Sequence, residues 1–398
     1  MKEFADAVKT KVSGCFDVIA AGGGVAGISA ALAAARQGAQ VLLLESSYIL
    51  GGLATSGLVT IFLPLCDGMG RQVSFGICEE LIRLSVRHTA EDRYPAAWFE
   101  EGPHSQRCEK RFEVQFNPHL FALETERLLL ENGVQILYGT KVCGVKKHGN
   151  RVEYIIIENK SGRCAIKCRA AVDCTGDAEL FDLCGVSTAE YAPQNVLAGW
   201  YYYFSKGKIS LRMLGVAEDP DAEETEPLIS RRFSGIGGGE ISEMTQLAHE
   251  QMLKDIIAHR KTDESYVPVT LPSIPQLRMT RRIRGTAVLD TEDAHTRCAS
   301  SVGMISNWKK RGPVYEVPFE TLFCSGCENM FAAGRCISVT DSMWDVSRVI
   351  PACAVTGEAA GTAAAMLNSL GEIDVTAVQN QLVKNGVVLH EEQLGHKL

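Results

Sequence analysis

Apolar residues in the early part of the chain fall into short runs, each closed by glycine, proline or a charge. Residues 18–21 are unbroken apolar and stop at Gly22-Gly23-Gly24, which predicts a strand running into a tight turn. The small-residue stretch 28–35 predicts a slim helix, and residues 40–45 predict a second strand ending on Glu45. Residues 15–45 therefore read as one βαβ unit. Residues 58–112 are mixed and read as loops and short helices. A helix follows, with Asn117 as its cap, Pro118 in its first turn, Leu120, Leu123, Leu128 and Leu129 as its apolar face, and Gly133 as its stop. Strands are predicted at 134–138, 140–146, 151–158 and 163–168. The turn 159–162 makes the last two a hairpin. A further short strand, 170–174, ends in Thr175-Gly176-Asp177.

The pattern changes near residue 186. Residues 200–204, Trp-Tyr-Tyr-Tyr-Phe, read as a strand, with alternate residues free to line a cavity or to pack in a half-buried sheet. Residues 218–226 form an acidic, solvated loop, 242–261 have helical periodicity, and 266–271 and 283–289 read as strands. The glycine run 235–239 reads as a loop, since no clear strand precedes it and no apolar helix with an acid beyond follows it. A strand at 329–333, then Gly334-Arg335, then a helix from Pro351 to about residue 370 restore the style of the opening. A last helix, 375–384, is capped by Asp374.

Composition narrows the class. Hydrophobic residues make up 46% and charged residues 22%, the balance of a soluble globular protein. A net charge of −8 favours neither nucleic acid nor an anionic membrane. No apolar run is long enough to span a bilayer. The charged, amphipathic residues 1–7 lack the apolar core of a signal peptide, so a cytoplasmic location is expected. The 14 cysteines are scattered. Only Cys324 and Cys327 form a C-x-x-C, and with no second pair to complete a ligand set, no metal is expected.

The chemistry starts at Gly22, Gly24 and Gly27, a G-x-G-x-x-G set between a strand and a helix. Gly22 permits the turn, Gly24 lets the backbone approach a pyrophosphate, and Gly27 lets the helix lie close to the sheet. Val25 and Ala26 open the helix, whose free N–H groups and positive dipole end suit phosphate. Glu45 is placed to accept ribose hydroxyls. The whole unit predicts a bound dinucleotide.

Four stretches carry a family resemblance: residues 17–58, 173–178, 281–285 and 331–364. On these the chain resembles the FAD-dependent oxidoreductases of the glutathione-reductase-like superfamily, including relatives of the heterodisulfide reductase flavin subunit. The resemblance implies FAD as cofactor. It implies an α/β fold with a Rossmann-like FAD-binding domain in three parts (14–70, 117–185 and 326–398), a connecting segment (71–116) and an inserted α+β substrate domain (186–325). It places Glu45 and the adjoining Ser46 at the adenosine ribose, and Gly51 and Gly52 at the pyrophosphate and ribityl chain. Leu53, Ala54 and Thr55 would lead toward the flavin ring, and Val142 would meet adenine. Thr175, Gly176 and Asp177 form a second nucleotide-side turn, and Gly334 and Arg335 meet the ribityl region. Many relatives carry Asp where this chain has Arg335. The helix opened by Pro351 would aim its N-terminus at the pyrimidine edge of the flavin, where reduction builds negative charge.

Arg278, Arg281, Arg282 and Arg284 form a dense basic group suited to a substrate carboxylate or to ion pairing. Arg282, Arg348 and Asp341 are the candidate catalytic residues, two as anion partners and Asp341 as a general base. His119 reads as structural and His104 as a loop residue, with reach to the site only as the lesser alternative. The glycine doublet lacks the cysteine pair that disulfide reductases place just after it, and a second nucleotide domain is missing. The expected activity is hydride transfer between flavin N5 and a small or medium organic substrate, at an alcohol or a C–C bond. Reduction of an activated double bond and service as an electron-transfer subunit are the alternatives. The expected partners are a small-molecule substrate and an external electron acceptor or redox protein.

Overall fold

The computed structural model describes residues 9–88, 94–215, 227–367 and 373–394. The acidic stretch 218–226 and the amphipathic residues 1–7 lie outside them. The main body is built on a 7-stranded sheet. Its order across the sheet is Gln135–Leu137, Val41–Leu44, Lys11–Ala21, Gly162–Asp173, Arg151–Asn159 and Lys141–His148, with Met330–Ala332 also pairing to Gly162–Asp173. The nucleotide-side strands run parallel and the three from 141 to 173 are antiparallel. The parallel strand Val41–Leu44 is buried at every position, as expected of a strand covered on both faces.

Gly162–Asp173 is one strand of 12 residues where the sequence suggested two. Arg169 made the apparent break. It pairs across the sheet with Asp17 at 3.4 Å, and its Nη2 donates to Ala365 O at 3.1 Å. A second guanidinium nitrogen serves Leu367 O, so this cation satisfies carbonyls at the end of the late helix Ile350–Met366. The length has a use. The first half of the strand pairs with Arg151–Asn159 and the last three residues pair with Met330–Ala332. It therefore carries the chain from the antiparallel region into the nucleotide-side core.

The helices Val25–Arg36 and Ile350–Met366 cross at contact distance. A Cβ on Gly357 would lie 2.3 Å from Ala26 O, and one on Gly361 would lie 2.1 Å from Ala30 O. Only glycine fits at either crossing point. The helix Pro118–Glu131 starts as expected, with Asn117 Oδ1 accepting from His119 N and Leu120 N. Its inward face differs from the leucine stripe read from sequence. Phe121, Ala122, Thr125 and Leu129 are buried, while Leu123 is 64% exposed. Phe121 packs on Phe116 at 5.0 Å between ring centroids, and this aromatic contact sets the rotation of the helix.

A smaller three-stranded sheet joins Lys208–Leu214, Gly199–Ser205 and Val267–Thr270. The helix Gly238–Arg260 packs on it through Ala248 and Met252, while Met244 packs against Leu197, Phe233 and Leu277. The glycine run is therefore not wholly a loop, since Gly237 caps this helix and Gly238 opens it. The strand expected over 283–289 is instead Arg281–Ile283, paired with Thr188–Glu190, with a lone bridge from Leu289 to Val339. Strands Ser301–Ser306 and Val314–Pro318 were not anticipated. Every residue of Ser301–Ser306 is buried, so it lacks the alternation that marks a half-exposed strand. Among the described residues no single helix is long and apolar enough to cross a membrane.

Glu358 lies on the late helix and is 1% exposed. Its Oε2 accepts from Ile77 N at 2.8 Å, while Oε1 is buried with no hydrogen bond. Burial pushes its carboxyl up to about 8 from an ordinary 4.5. Between those values the unfolded chain has released a proton that the folded chain keeps, so stability falls as pH rises from about 5 to about 8. Glu358→Gln keeps an acceptor for Ile77 and cannot ionise. Urea unfolding across pH 5 to 9 is expected to show a shallower decline in the variant, which becomes the more stable form above about pH 8 by on the order of 1–3 kcal/mol. Parallel pH profiles would show that this carboxyl ionises freely in the folded chain.

Candidate functional site

The opening strand ends at Ala21, and the next three glycines make different demands. Gly22 has φ +104°, and a Cβ there would lie 2.4 Å from Cys174 O. A Cβ on Gly27 would lie 1.8 Å from Gly22 O. Both are glycine because protein backbone surrounds them. Gly24 is different: a Cβ there would meet nothing within 4 Å. It borders a cavity of about 460 Å³. The protein alone gives no reason to exclude a side chain at Gly24, whereas a phosphate bridge lying over its backbone would. This is the expected place for the pyrophosphate of FAD, and the residues present fit it.

The neighbouring loop is built onto this turn. Gly51 N donates to Gly23 O at 2.8 Å, and Gly24 and Gly51 form a parallel bridge. A Cβ on Gly52 would approach Gly24 Cα to 3.2 Å. Glu45 is 7% exposed and binds the turn as well, its Oε2 accepting from Gly23 N at 2.8 Å and its Oε1 from Ser47 N at 2.6 Å. The carboxylate thus holds the glycine turn in place while still bordering the cavity.

Two helices begin at this cavity. Val25 and Ala26 line it from the first, and Ile350 and Cys353 from the late one. Neither N-terminus is capped by a side chain, so their leading N–H groups are open to an anion. Burial pushes the Cys353 thiol up to about 11, so it stays protonated near neutral pH.

Most of the expected cofactor residues converge on this one cavity: Gly22, Gly24, Val25, Ala26, Glu45, Ser46, Gly51, Gly52, Leu53, Ala54, Val142, Thr175, Gly176, Asp177, Gly334 and Arg335. Three do not border it. Gly27 lies beneath the turn. Thr55 is turned inward, with Oγ1 donating to Leu50 O at 2.5 Å. Pro351 is buried inside its helix. Arg335 ties the second turn to a covering segment. Its Nε donates to Gly176 O at 3.3 Å and its Nη1 to Leu277 O at 2.8 Å, with Asp177 Oδ1 at 3.6 Å. Asp173, fully buried, shapes that turn by accepting from Thr175 N, Thr175 Oγ1 and Leu180 N.

The candidate catalytic residues separate. Arg348 borders the cavity, its Nε donating to Asp345 Oδ1 at 2.7 Å. Arg282 and Asp341 do not. They pair with each other at 2.8 Å, and the Arg282 guanidinium sits 4.4 Å from the centre of the Trp344 ring. This pair is engaged with itself and with Trp344, off the cavity lining where the sequence reading expects it. Arg281 pairs with Asp182 at 2.8 Å. His104 lies against Cys108 away from the cavity lining, with Sγ to Nδ1 at 3.6 Å. Sequence reading missed Ser56, Pro275 and Leu277, which cover the cavity with no recognisable motif. Of the aromatic run, Tyr201 turns toward the helix and bonds Asp255 and Tyr266, while Tyr202 reaches Thr60 Oγ1 at 2.5 Å. Cys324 and Cys327 lie away from the cavity lining, and among the described residues no cluster of three or more His, Cys, Asp or Glu could hold a metal ion.

The glycines yield a paired test. Gly24→Glu is expected to give a folded protein with unchanged far-UV circular dichroism and no retained FAD, because the carboxylate fills the cradle and repels phosphate. Gly27→Ala is expected to lower thermal stability outright, because its methyl group meets backbone. FAD retained by folded Gly24→Glu would place the cradle elsewhere.

The model of a family described as FAD dependent oxidoreductase matches residues 17–196 and 197–382. A curated relative, the tRNA uridine 5-carboxymethylaminomethyl modification enzyme MnmG of Campylobacter hominis, is 31% identical over 150 residues, 35% of this chain and 22% of that protein. The chain thus spans about a fifth of that relative. Among solved structures, p-nitrophenol 4-monooxygenase PnpA from Pseudomonas putida DLL-E4 aligns over 94% of this chain and 84% of its own, with a TM-score of 0.50 and 12% identity, a likeness of fold. The 3-ketosteroid-delta4-(5alpha)-dehydrogenase of Rhodococcus jostii RHA1 aligns over 89% and 98%, with a TM-score of 0.43 and 14% identity. The family model covers both halves of the chain, and the glycine turn it contains opens on a cavity that fits the cofactor: the chain belongs to the FAD-dependent oxidoreductase family, and its cofactor is FAD.

Proposed function

We propose that this enzyme moves a hydride between a small or medium organic substrate and flavin N5, acting on an alcohol or a C–C single bond. The observation that carries the reading is the composition of the cavity wall. One side is glycine backbone and helix N-termini, suited to phosphates. Another, at Ser56, Leu277 and Arg348, brings a hydroxyl, an apolar surface and a cation to the same space. Bound flavin supplies the two-electron chemistry. The protein supplies orientation, exclusion of water and charge. Residues 186–325 serve, on this reading, as the substrate-side unit, and an external acceptor or redox protein takes the electrons. The two thiols that border the cavity, Cys174 and Cys353, are both pushed up by burial and stay protonated near neutral pH, which speaks against disulfide chemistry and a tie to disulfide reductases.

Reduction of an activated double bond is the second reading. Arg278 and Arg348 favour it, since two neighbouring cations stabilise an enolate-like charge. An anaerobic screen separates the readings. The purified protein is expected to show oxidised-flavin bands and to bleach on addition of an alcohol or a saturated C–C substrate. Reoxidation of dithionite-reduced protein by an enone, with no bleaching by any saturated compound, would establish the reductase instead. Reduction by a partner protein alone would make the chain an electron-transfer subunit.

A further inference from the structure

Beside the cavity wall lies a polar site that neither the fold nor the cofactor cradle explains. Arg278 follows the cavity-lining Leu277 and is 6% exposed. Asn195 Oδ1 holds its backbone N–H at 3.1 Å. Its guanidinium has no ion-pair partner among the described residues, and Nη1 is buried with no hydrogen bond. The charged groups acting on it are Arg348 and Asp345. Asp345 is already engaged by Arg348 and by Lys309. Three cations therefore share one carboxylate, and Arg278 is the one left over. A buried guanidinium cannot escape by losing its proton at ordinary pH, so this arrangement is unfavourable until a further negative charge arrives.

The atoms around Arg278 are unsatisfied as well. Its guanidinium carbon lies 5.7 Å from the centre of the Trp200 ring, and Trp200 Nε1 is buried without an acceptor. Ser56 Oγ, on the cavity wall, is also buried and unbonded. Gln276 Nε2 donates to Gly57 O at 2.7 Å, which links the Arg278 segment to the Ser56 loop. Buried polar atoms are normally paired, and here three donors, Arg278 Nη1, Trp200 Nε1 and Ser56 Oγ, lack acceptors, while the Gln276 Oε1 acceptor lacks a donor. All three would be met by one acceptor-rich group.

Resting on the flavoenzyme reading above, we propose that Arg278 and Arg348 form the seat for a substrate carboxylate, with the Ser56 hydroxyl and the Trp200 indole N–H as neutral donors, so that the substrate is an organic acid. A guanidinium fork matches a carboxylate edge, and excluding water strengthens the contact. The seat fixes the acid group beside the flavin cavity and leaves the adjoining carbon to be presented to the ring.

The test is ligand titration of the FAD-loaded protein, read by perturbation of the visible flavin band and by calorimetry. The probes are benzoate and succinate against benzamide and succinamide. The carboxylates are expected to bind and the amides not. Arg278→Gln is expected to keep its FAD and weaken carboxylate binding roughly 30- to 100-fold, with Arg278→Lys in between. If Arg278→Gln does not fold, Arg348→Gln is expected to show the same loss. Equal binding of acids and amides would overturn the proposal. So would unchanged acid affinity in Arg278→Gln together with a lowered flavin reduction potential, which would mean that the arginine answers the flavin and not a substrate. Protein that takes up no FAD defeats the flavoenzyme reading, whereas yellow protein indifferent to carboxylates defeats this inference alone.

Discussion

The site depends on two helices touching backbone to backbone. Gly357 and Gly361 let the late helix press onto Ala26 and Ala30 of the first, at distances no side chain permits. That crossing joins segments more than 300 residues apart in sequence and sets both N-termini against one cavity. Gly334 repeats the demand nearby, where a Cβ would lie 2.9 Å from Ala26 Cβ. Close packing of this kind has little slack, since interiors are filled to crystal-like density. A methyl group added at the crossing would part the helices and, with them, the two positive dipole ends that face the cavity.

Around the cavity the charges are sorted by what holds them. On the phosphate side almost nothing is a side chain. Backbone N–H groups and Glu45, itself fixed by Gly23 and Ser47, shape the surface. On the covering side the cations are graded by their partners. Arg335 is committed to the backbone, bonding Gly176 O and Leu277 O, with Asp177 Oδ1 at 3.6 Å. Arg282 is withdrawn onto Asp341 and Trp344. Arg348 is half-committed to Asp345, where burial raises the carboxyl but Arg348 and Lys309 outweigh it and keep it ionised. Similar residues in one short stretch of sequence thus have unlike roles, and partner supply decides which of them retains chemistry.

That distinction explains what the sequence could and could not show. The βαβ unit, the second turn and the slim late helix were legible because each rests on local rules: glycine where φ is positive or space is short, Asn or Asp at a cap, small residues where helices meet. Asn117 and Asp374 both cap as read. Failures came where tertiary contacts overrule local pattern. The leucines of Pro118–Glu131 suggested one face, but Phe121 turns the helix to another. Arg169 looked like a break because its partners, Asp17 and the end of a helix nearly 200 residues on, are invisible locally. Ser301–Ser306 was missed because a strand buried on both faces shows no alternation. Arg278 and Arg282 look alike in sequence, and only the placement of Asp341 separates them.

The covering segment is held by the same loops that border the cavity, which bears on how substrate and flavin would come together. Ser273 N donates to Ser56 O at 2.8 Å, Gln276 Nε2 to Gly57 O at 2.7 Å, and Arg335 Nη1 to Leu277 O at 2.8 Å. Asn195 adds bonds to the N–H groups of Arg278 and Met279. Residues 273–279 are therefore fastened to the glycine loop at one end and to Asn195 at the other rather than hinged over the cavity. A contact formed with FAD along Gly51–Ser56 acts directly on the position of Gln276 and Arg278, through one or two hydrogen bonds. Such coupling pre-organises the covering side once the cofactor is in place, and little of the binding energy of a substrate is then spent on ordering the wall it meets.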